Sequence, residues 1–136
     1  ARSYVFSTGV HAALAAAVPD SVRLVEAADD ARARVRAHRA VLADALPRGR
    51  LASSDPSVPV LPIVLGEPAR ALAVSHALRR RGFFVQAIRP PTVPVGTARL
   101  RLVPIATHDE ADIAAAAAAL SDALSRDDAA LEDLGR

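Results

Sequence analysis

The 136 residues make one domain's worth of chain, and with 51% apolar and 24% charged residues they have the balance of a globular protein, not a disordered one. No cysteine is present, which excludes disulfides, zinc–thiolate sites, iron–sulfur clusters and cysteine nucleophiles. All 17 basic residues are arginine, but 15 acidic residues are interspersed with them and aromatics are only 3%, so the net charge of +2 gives no reason to expect nucleic acid.

Residues 1–9 read as a short extended lead-in closed by Gly9. His11 to Val18 is alanine-rich and helical in pattern, and Pro19-Asp20 is expected to break it. Asp20 or Ser21 then caps a long helix to about Leu46, whose apolar stripe is Val25, Ala28, Ala31, Val35, His38, Leu42 and Ala45. Arg32, Arg36 and Arg39 fall on its other side, the pattern of a solvated face. Pro47 to Ser57 is rich in Pro, Gly and Ser and reads as the boundary between two parts. Residues 1–50 are thus an extended lead-in and a linking helix, and residues 51–136 a small α/β domain.

Within the second part, Val58 to Gly66 is β-rich, and its two prolines suggest an edge strand. Glu67-Pro68 opens a helix that runs to Arg79-Arg80-Arg81, with Gly82 as its stop. Phe83–Ile88 reads as a strand, and Arg89 to Thr97 as a stiff proline-set loop. Ala98–Val103 is another strand, with Leu100 and Leu102 on one face and Arg99 and Arg101 on the other. Thr107 and Glu110 match a capping box before a last helix with the stripe Ile113, Ala116, Ala117, Leu120 and Leu124, fraying after about Arg126. The fold class is α/β, a sheet of about three strands with helices on one face. The strands at 58–65 and 83–88 suit a parallel arrangement, and those at 83–88 and 98–103 an antiparallel one.

Most catalytic templates fail on this sequence. His11, His38, His76 and His108 lie on four separate segments without helical metal-site spacing, so no metal is expected. His38 sits on an apolar stripe and reads as a satisfied core histidine. No nucleophile elbow, P-loop or dinucleotide fingerprint occurs. Without lysine there is no side-chain amine for a Schiff base. The longest apolar run, Ile113 to Leu120, is far below the ~20 residues of a membrane span, and no signal peptide is visible. What remains is Ala87 to Leu102, AIRPPTVPVGTARLRL. Its prolines and Gly96 hold Arg89 and Thr92 at the end of one strand while Arg99 and Arg101 project from the next. Fixed guanidinium groups suit the gripping of carboxylates through paired hydrogen bonds.

That string closely resembles the C-terminal segment of the 8-amino-7-oxononanoate synthases, the biotin-pathway branch of the α-oxoamine synthase family. These are pyridoxal-phosphate enzymes of aminotransferase fold type I. The resemblance spans nearly the whole chain: ARSYVFSTG looks like the family's F-S-T segment, VPVLPIVLGE like the strand opening its small domain, and the T-x-x-E helix like its last one. One departure is Gly9-Val10-His11, where the family usually has a small residue and a proline pair.

The resemblance implies the small C-terminal domain of an aminotransferase-like enzyme, whose missing large domain carries the cofactor-anchoring lysine, so that no catalytic residue lies in this chain. It implies decarboxylative condensation of L-alanine with a pimeloyl thioester, carried on coenzyme A or a carrier protein. It also implies a cytoplasmic homodimer with no nucleic-acid or membrane partner. By family position, Arg101 would grip the amino-acid carboxylate, Thr92 and Arg89 would face the acyl arm, and Ser7 and Thr8 would reach the cofactor phosphate of the neighbouring subunit. The alternatives are another α-oxoamine synthase, with a different amino acid or acyl donor, and a free-standing small α/β binding module.

Overall fold

The computed structural model describes residues 9–47, 49–51 and 55–134, in two compact units, Ala1–Arg32 and Ala33–Arg136. The expectations for Ser7 and Thr8 lie outside the described residues.

In the first unit, helix α1 spans Ala12–Glu26 and buries none of its residues. His11 caps it, its ring Nδ1 accepting a hydrogen bond from the Ala13 N–H at 3.2 Å. Pro19 lies inside this helix and does not break it. A proline costs the helix one backbone hydrogen bond, but the chain instead breaks at Ala27 and Ala28, before helix α2 at Asp29–Asp44. The reason is local chemistry. Asp29 and Asp30 suit the first turn of a new helix. Arg32 donates to the last carbonyls of α1, those of Val25 and Glu26, and pairs with Asp29 at 2.7 Å. The single long helix expected from Asp20 to Leu46 is therefore two helices.

The second unit contains the sheet. Its strands are β1 (Leu61–Gly66), β2 (Gln86–Ile88) and β3 (Ala98–Leu102), in the order β1-β3-β2 with both pairings antiparallel. The two strands expected to be parallel do run the same way, but β3 lies between them. Proline-bearing β1 takes an edge, where a missing N–H is tolerated. Both outer strands are shorter than expected because their leading residues spend their backbone groups elsewhere. The Val58 carbonyl accepts from Arg39 Nε at 2.7 Å, the Val85 carbonyl accepts from the Ser75 hydroxyl at 2.6 Å, and the Phe83 N–H donates to Leu78.

Helix α3, Pro68–Arg80, packs across all three strands, and α4, Glu110–Leu134, packs on α3. The core joins Ile63, Leu65 and Leu100 from the sheet to Val74 and Leu78 of α3, Ile113, Leu120 and Leu124 of α4, and Leu42 of α2. Fully burying each such side chain is worth about 1.5–3 kcal/mol. Helix α3 ends in a Schellman turn, where Gly82 takes φ +90° and the N–H groups of Gly82 and Phe83 return to the carbonyls of Arg79 and Leu78. Arginines tie α4 to α3 and to the chain before β1. Arg70 bonds Asp127 and, at 3.0 Å, the Leu65 carbonyl, Arg50 pairs with Asp128, and Arg81 bonds Asp122. Helix α4 starts at Glu110, with the Asp109 carbonyl taking its first bond, so the cap lies two residues past Thr107. The helix continues to Leu134, beyond the expected fraying point.

Two measurements test this packing. Leu100→Ala, at a fully buried position, should lower the unfolding free energy by about 2–5 kcal/mol in urea denaturation. Val95→Ala, at 89% exposure, should change it by less than about 0.5 kcal/mol. The second concerns acid. Hydrogen bonds from Arg81 and then Arg126 hold the Asp122 carboxyl below the ordinary carboxylate range. Its contribution is present above the unfolded carboxylate pKa and is lost as pH falls through the lower folded value. Asp122→Asn should therefore melt below the native chain at neutral pH, with the gap closing on acidification. A gap independent of pH contradicts the assignment.

Candidate functional site

The face of the sheet turned away from the helices carries the polar side chains. Its residues lie in two rows set by the strand register, Pro62–Arg101–Gln86 and Val64–Arg99–Ile88. The alternating neighbours Leu61, Ile63, Leu100 and Leu102 point into the core, so the period-two pattern of β3 leaves its two arginines outside it. Arg101 is exposed and its Nη2 donates to Gln86 Oε1 at 2.9 Å. Arg99 is half-buried and its Nε donates to the Thr97 carbonyl at 3.0 Å.

Arg89 immediately follows β2, on the strand that pairs with Arg101's strand. The Thr92 N–H donates to the Arg89 carbonyl at 3.1 Å, closing a turn through Pro90 and Pro91. Arg89 and Thr92 are thus brought together at one end of β2, and both are exposed. A second turn follows, in which both the N–H and the hydroxyl of Thr97 donate to the Pro94 carbonyl, at 3.1 and 2.8 Å. Gly96 takes φ +76° there, which a side-chain-bearing residue rarely adopts. Two turns of fixed geometry therefore join β2 to β3, as the prolines suggest.

Other expectations fare differently. His38 is 5% exposed and its Nδ1–H donates to the Ile105 carbonyl at 3.1 Å, the satisfied core histidine expected. Arg39, expected on a solvated helix face, is also 5% exposed, and its Nη2 is buried without a partner among the described residues. Arg32 stays partly solvent-exposed, as expected, and also caps the end of α1. Among the described residues, no group of three His, Asp or Glu side chains could hold a metal, and no helix is long and apolar enough to cross a membrane. Two features had no signal recognised in the sequence. One is Gln86, whose partner lies fifteen residues away on another strand. The other is a groove of about 400 Å3 lined by Phe83, Phe84, Val85, Leu102, His108 and Asp112 among others. The Arg79 guanidinium lies 5.3 Å from the centroid of the Phe84 ring. None of Arg89, Thr92, Arg99 and Arg101 lines the groove.

Comparison with known proteins places this geometry. The model of the family described as aminotransferase class I and II matches residues 1–120. A curated relative from Methylobacterium nodulans, named 8-amino-7-oxononanoate synthase, is 47% identical over 124 residues, 90% of this chain and 31% of its own length. One of the same name from Geobacter sulfurreducens is 39% identical over 89% of this chain. The chain thus spans about a third of the length of the curated relatives it matches. Among solved structures, a serine palmitoyltransferase from Sphingomonas wittichii superposes with a TM-score of 0.74 at 25% identity, covering 94% of this chain and 33% of that one. The 8-amino-7-oxononanoate synthase of Francisella tularensis has the same fold, with a TM-score of 0.72 at 21% identity over 92% of this chain and 36% of that one. With its family model matched over most of its length, this chain belongs to the aminotransferase class I and II family.

Proposed function

We propose that the chain is the C-terminal portion of an 8-amino-7-oxononanoate synthase, which condenses L-alanine with a pimeloyl thioester and releases carbon dioxide. In this reading residues 1–50 link to a large domain, residues 51–136 form the small domain, and the parent works as a cytoplasmic homodimer. The acyl group rides on coenzyme A or a carrier protein. The observation that carries the reading is the exposed Arg101 guanidinium on the open sheet face, in a chain 47% identical to a relative of that name. The resemblance of the serine palmitoyltransferase structures keeps one alternative in view, another α-oxoamine synthase using a different amino acid and acyl donor. The RPPT string at Arg89–Thr92 favours the biotin-pathway enzyme, and substrate assays on the parent separate the two.

Pyridoxal 5'-phosphate, when bound, supplies the electron sink for bond changes at the amino acid's α-carbon. The residues of this chain fit the substrate-facing share of such a site. Arg101 offers a planar fork on the open sheet face, and Arg89 and Thr92 stand past the end of β2 opposite its register partner Gln86. The anchoring share does not fit, because the sequence holds no lysine. Ser7 and Thr8 are proposed to meet the cofactor phosphate of the neighbouring subunit. Arg101 holds alanine's carboxylate through two hydrogen bonds, each worth roughly 1.5–3 kcal/mol when made to a charged group. That grip also orients the α-carbon, so its loss slows the reaction as well as weakening binding.

In the full-length parent, Arg101→Ala should weaken alanine binding by at least about tenfold, or 1.4 kcal/mol, with the acyl donor less affected. Arg101→Lys keeps the charge without the fork and should recover only part of the function. Unchanged alanine affinity with a selective loss at the acyl donor overturns the assignment and moves the carboxylate role to Arg89. The 136-residue chain alone should be inactive. Borohydride treatment with pyridoxal phosphate followed by mass spectrometry should show no adduct on any side chain.

A further inference from the structure

We propose that Gln86 is a positioning residue for Arg101, fixing the direction in which its guanidinium presents its free donors to a substrate carboxylate. The inference rests on the reading of Arg101 as the carboxylate grip. Gln86 and Arg101 are register partners on adjacent strands, so their side chains stand on the same sheet face. Arg101 Nη2 donates to Gln86 Oε1 at 2.9 Å. A guanidinium carries only donors, so the amide oxygen must be the atom that faces it, and the amide NH2 turns elsewhere.

The chemistry of that one acceptor matters. A long arginine on an exposed strand has many staggered rotamers, and a single cross-strand acceptor selects among them before any ligand arrives. Of the five guanidinium N–H groups, one is spent on Gln86 and four remain, enough for a two-point grip on a carboxylate. A glutamate at this position would hold the guanidinium equally well but would cancel its charge. An apolar residue would leave the charge and release the side chain. A neutral amide orients the guanidinium while keeping its full positive charge for the ligand. The surroundings leave this role to Gln86. Pro62, the register partner on β1, has no side-chain acceptor, and Arg99, two residues along the same face, is turned to the Thr97 carbonyl. Among the described residues, no other side chain accepts a hydrogen bond from Arg101.

The test uses the full-length, cofactor-loaded parent, with Gln86→Leu, Gln86→Glu, Arg101→Ala and the double variant Gln86→Leu/Arg101→Ala. Alanine affinity is read by equilibrium titration, alongside KM and kcat. Gln86→Leu should raise the alanine Kd and KM roughly three- to tenfold, the scale of re-ordering one long side chain, with a smaller change in kcat and in the acyl donor's KM. Gln86→Glu should also weaken alanine binding, by cancelling charge. In the Arg101→Ala background, Gln86→Leu should add less than about twofold, because the group it positions is gone. A purely structural role for Gln86 would give the same penalty in both backgrounds, and that result overturns the proposal. So does an Arg101→Ala loss of affinity with no loss in Gln86→Leu, which leaves the grip intact. If Arg101→Ala itself spares alanine affinity, the carboxylate reading fails first and the positioning role falls with it.

Discussion

The alternation of side chains along β3 sets both the core and the site. Because successive residues of a strand point to opposite faces, burying Ala98, Leu100 and Leu102 under α3 forces Arg99 and Arg101 to the other side. A one-residue slip of register would bury two arginines and expose the leucines, so the apolar core holds the guanidinium groups in place without touching them. The central place of β3, paired on both edges, makes that register hard to shift.

Arginine is the only cation this sequence uses, and the fold gives it three kinds of work. At the surface of α3, Arg70 and Arg81 fasten α4 through aspartates and backbone carbonyls. From helix α2, Arg32 donates to carbonyls at the end of α1 and Arg39 to the Val58 carbonyl before β1. On the open sheet face, Arg101 has one neutral acceptor and, among the described residues, no acid as a hydrogen-bond partner. The same side chain thus serves as tie, as cap or as an exposed charge according to whether a carboxylate, a carbonyl or an amide stands opposite.

The loop between β2 and β3 is a stiff connection. Proline fixes φ and the residue before it is restricted too. Turns closed by the Thr92 and Thr97 N–H groups add fixed hydrogen bonds. Arg89 and Thr92 are therefore held relative to β2, and β2 is held relative to Arg101 by the ladder. An acid–base or nucleophilic site would need clustered titratable groups, and the described residues present none on this face.

Local patterns in the sequence determined most of the elements. Pro68 and Gly82 bound α3, the spacing of Ile113, Leu120 and Leu124 marks the buried face of α4, and the alternation of Ala98–Leu102 separates core from site. Each of these depends on residues a few positions apart, so a reading along the chain can find them. The long-range partners could not be read that way. Only the tertiary structure decided that β3 lies between β1 and β2 and that Arg39 is buried against Val58. It also decided that Gln86 meets Arg101. The physical reason is common to all three: a backbone group or side chain takes the best partner that folding brings within reach, and the spacing of residues along the chain does not encode which distant partner that is.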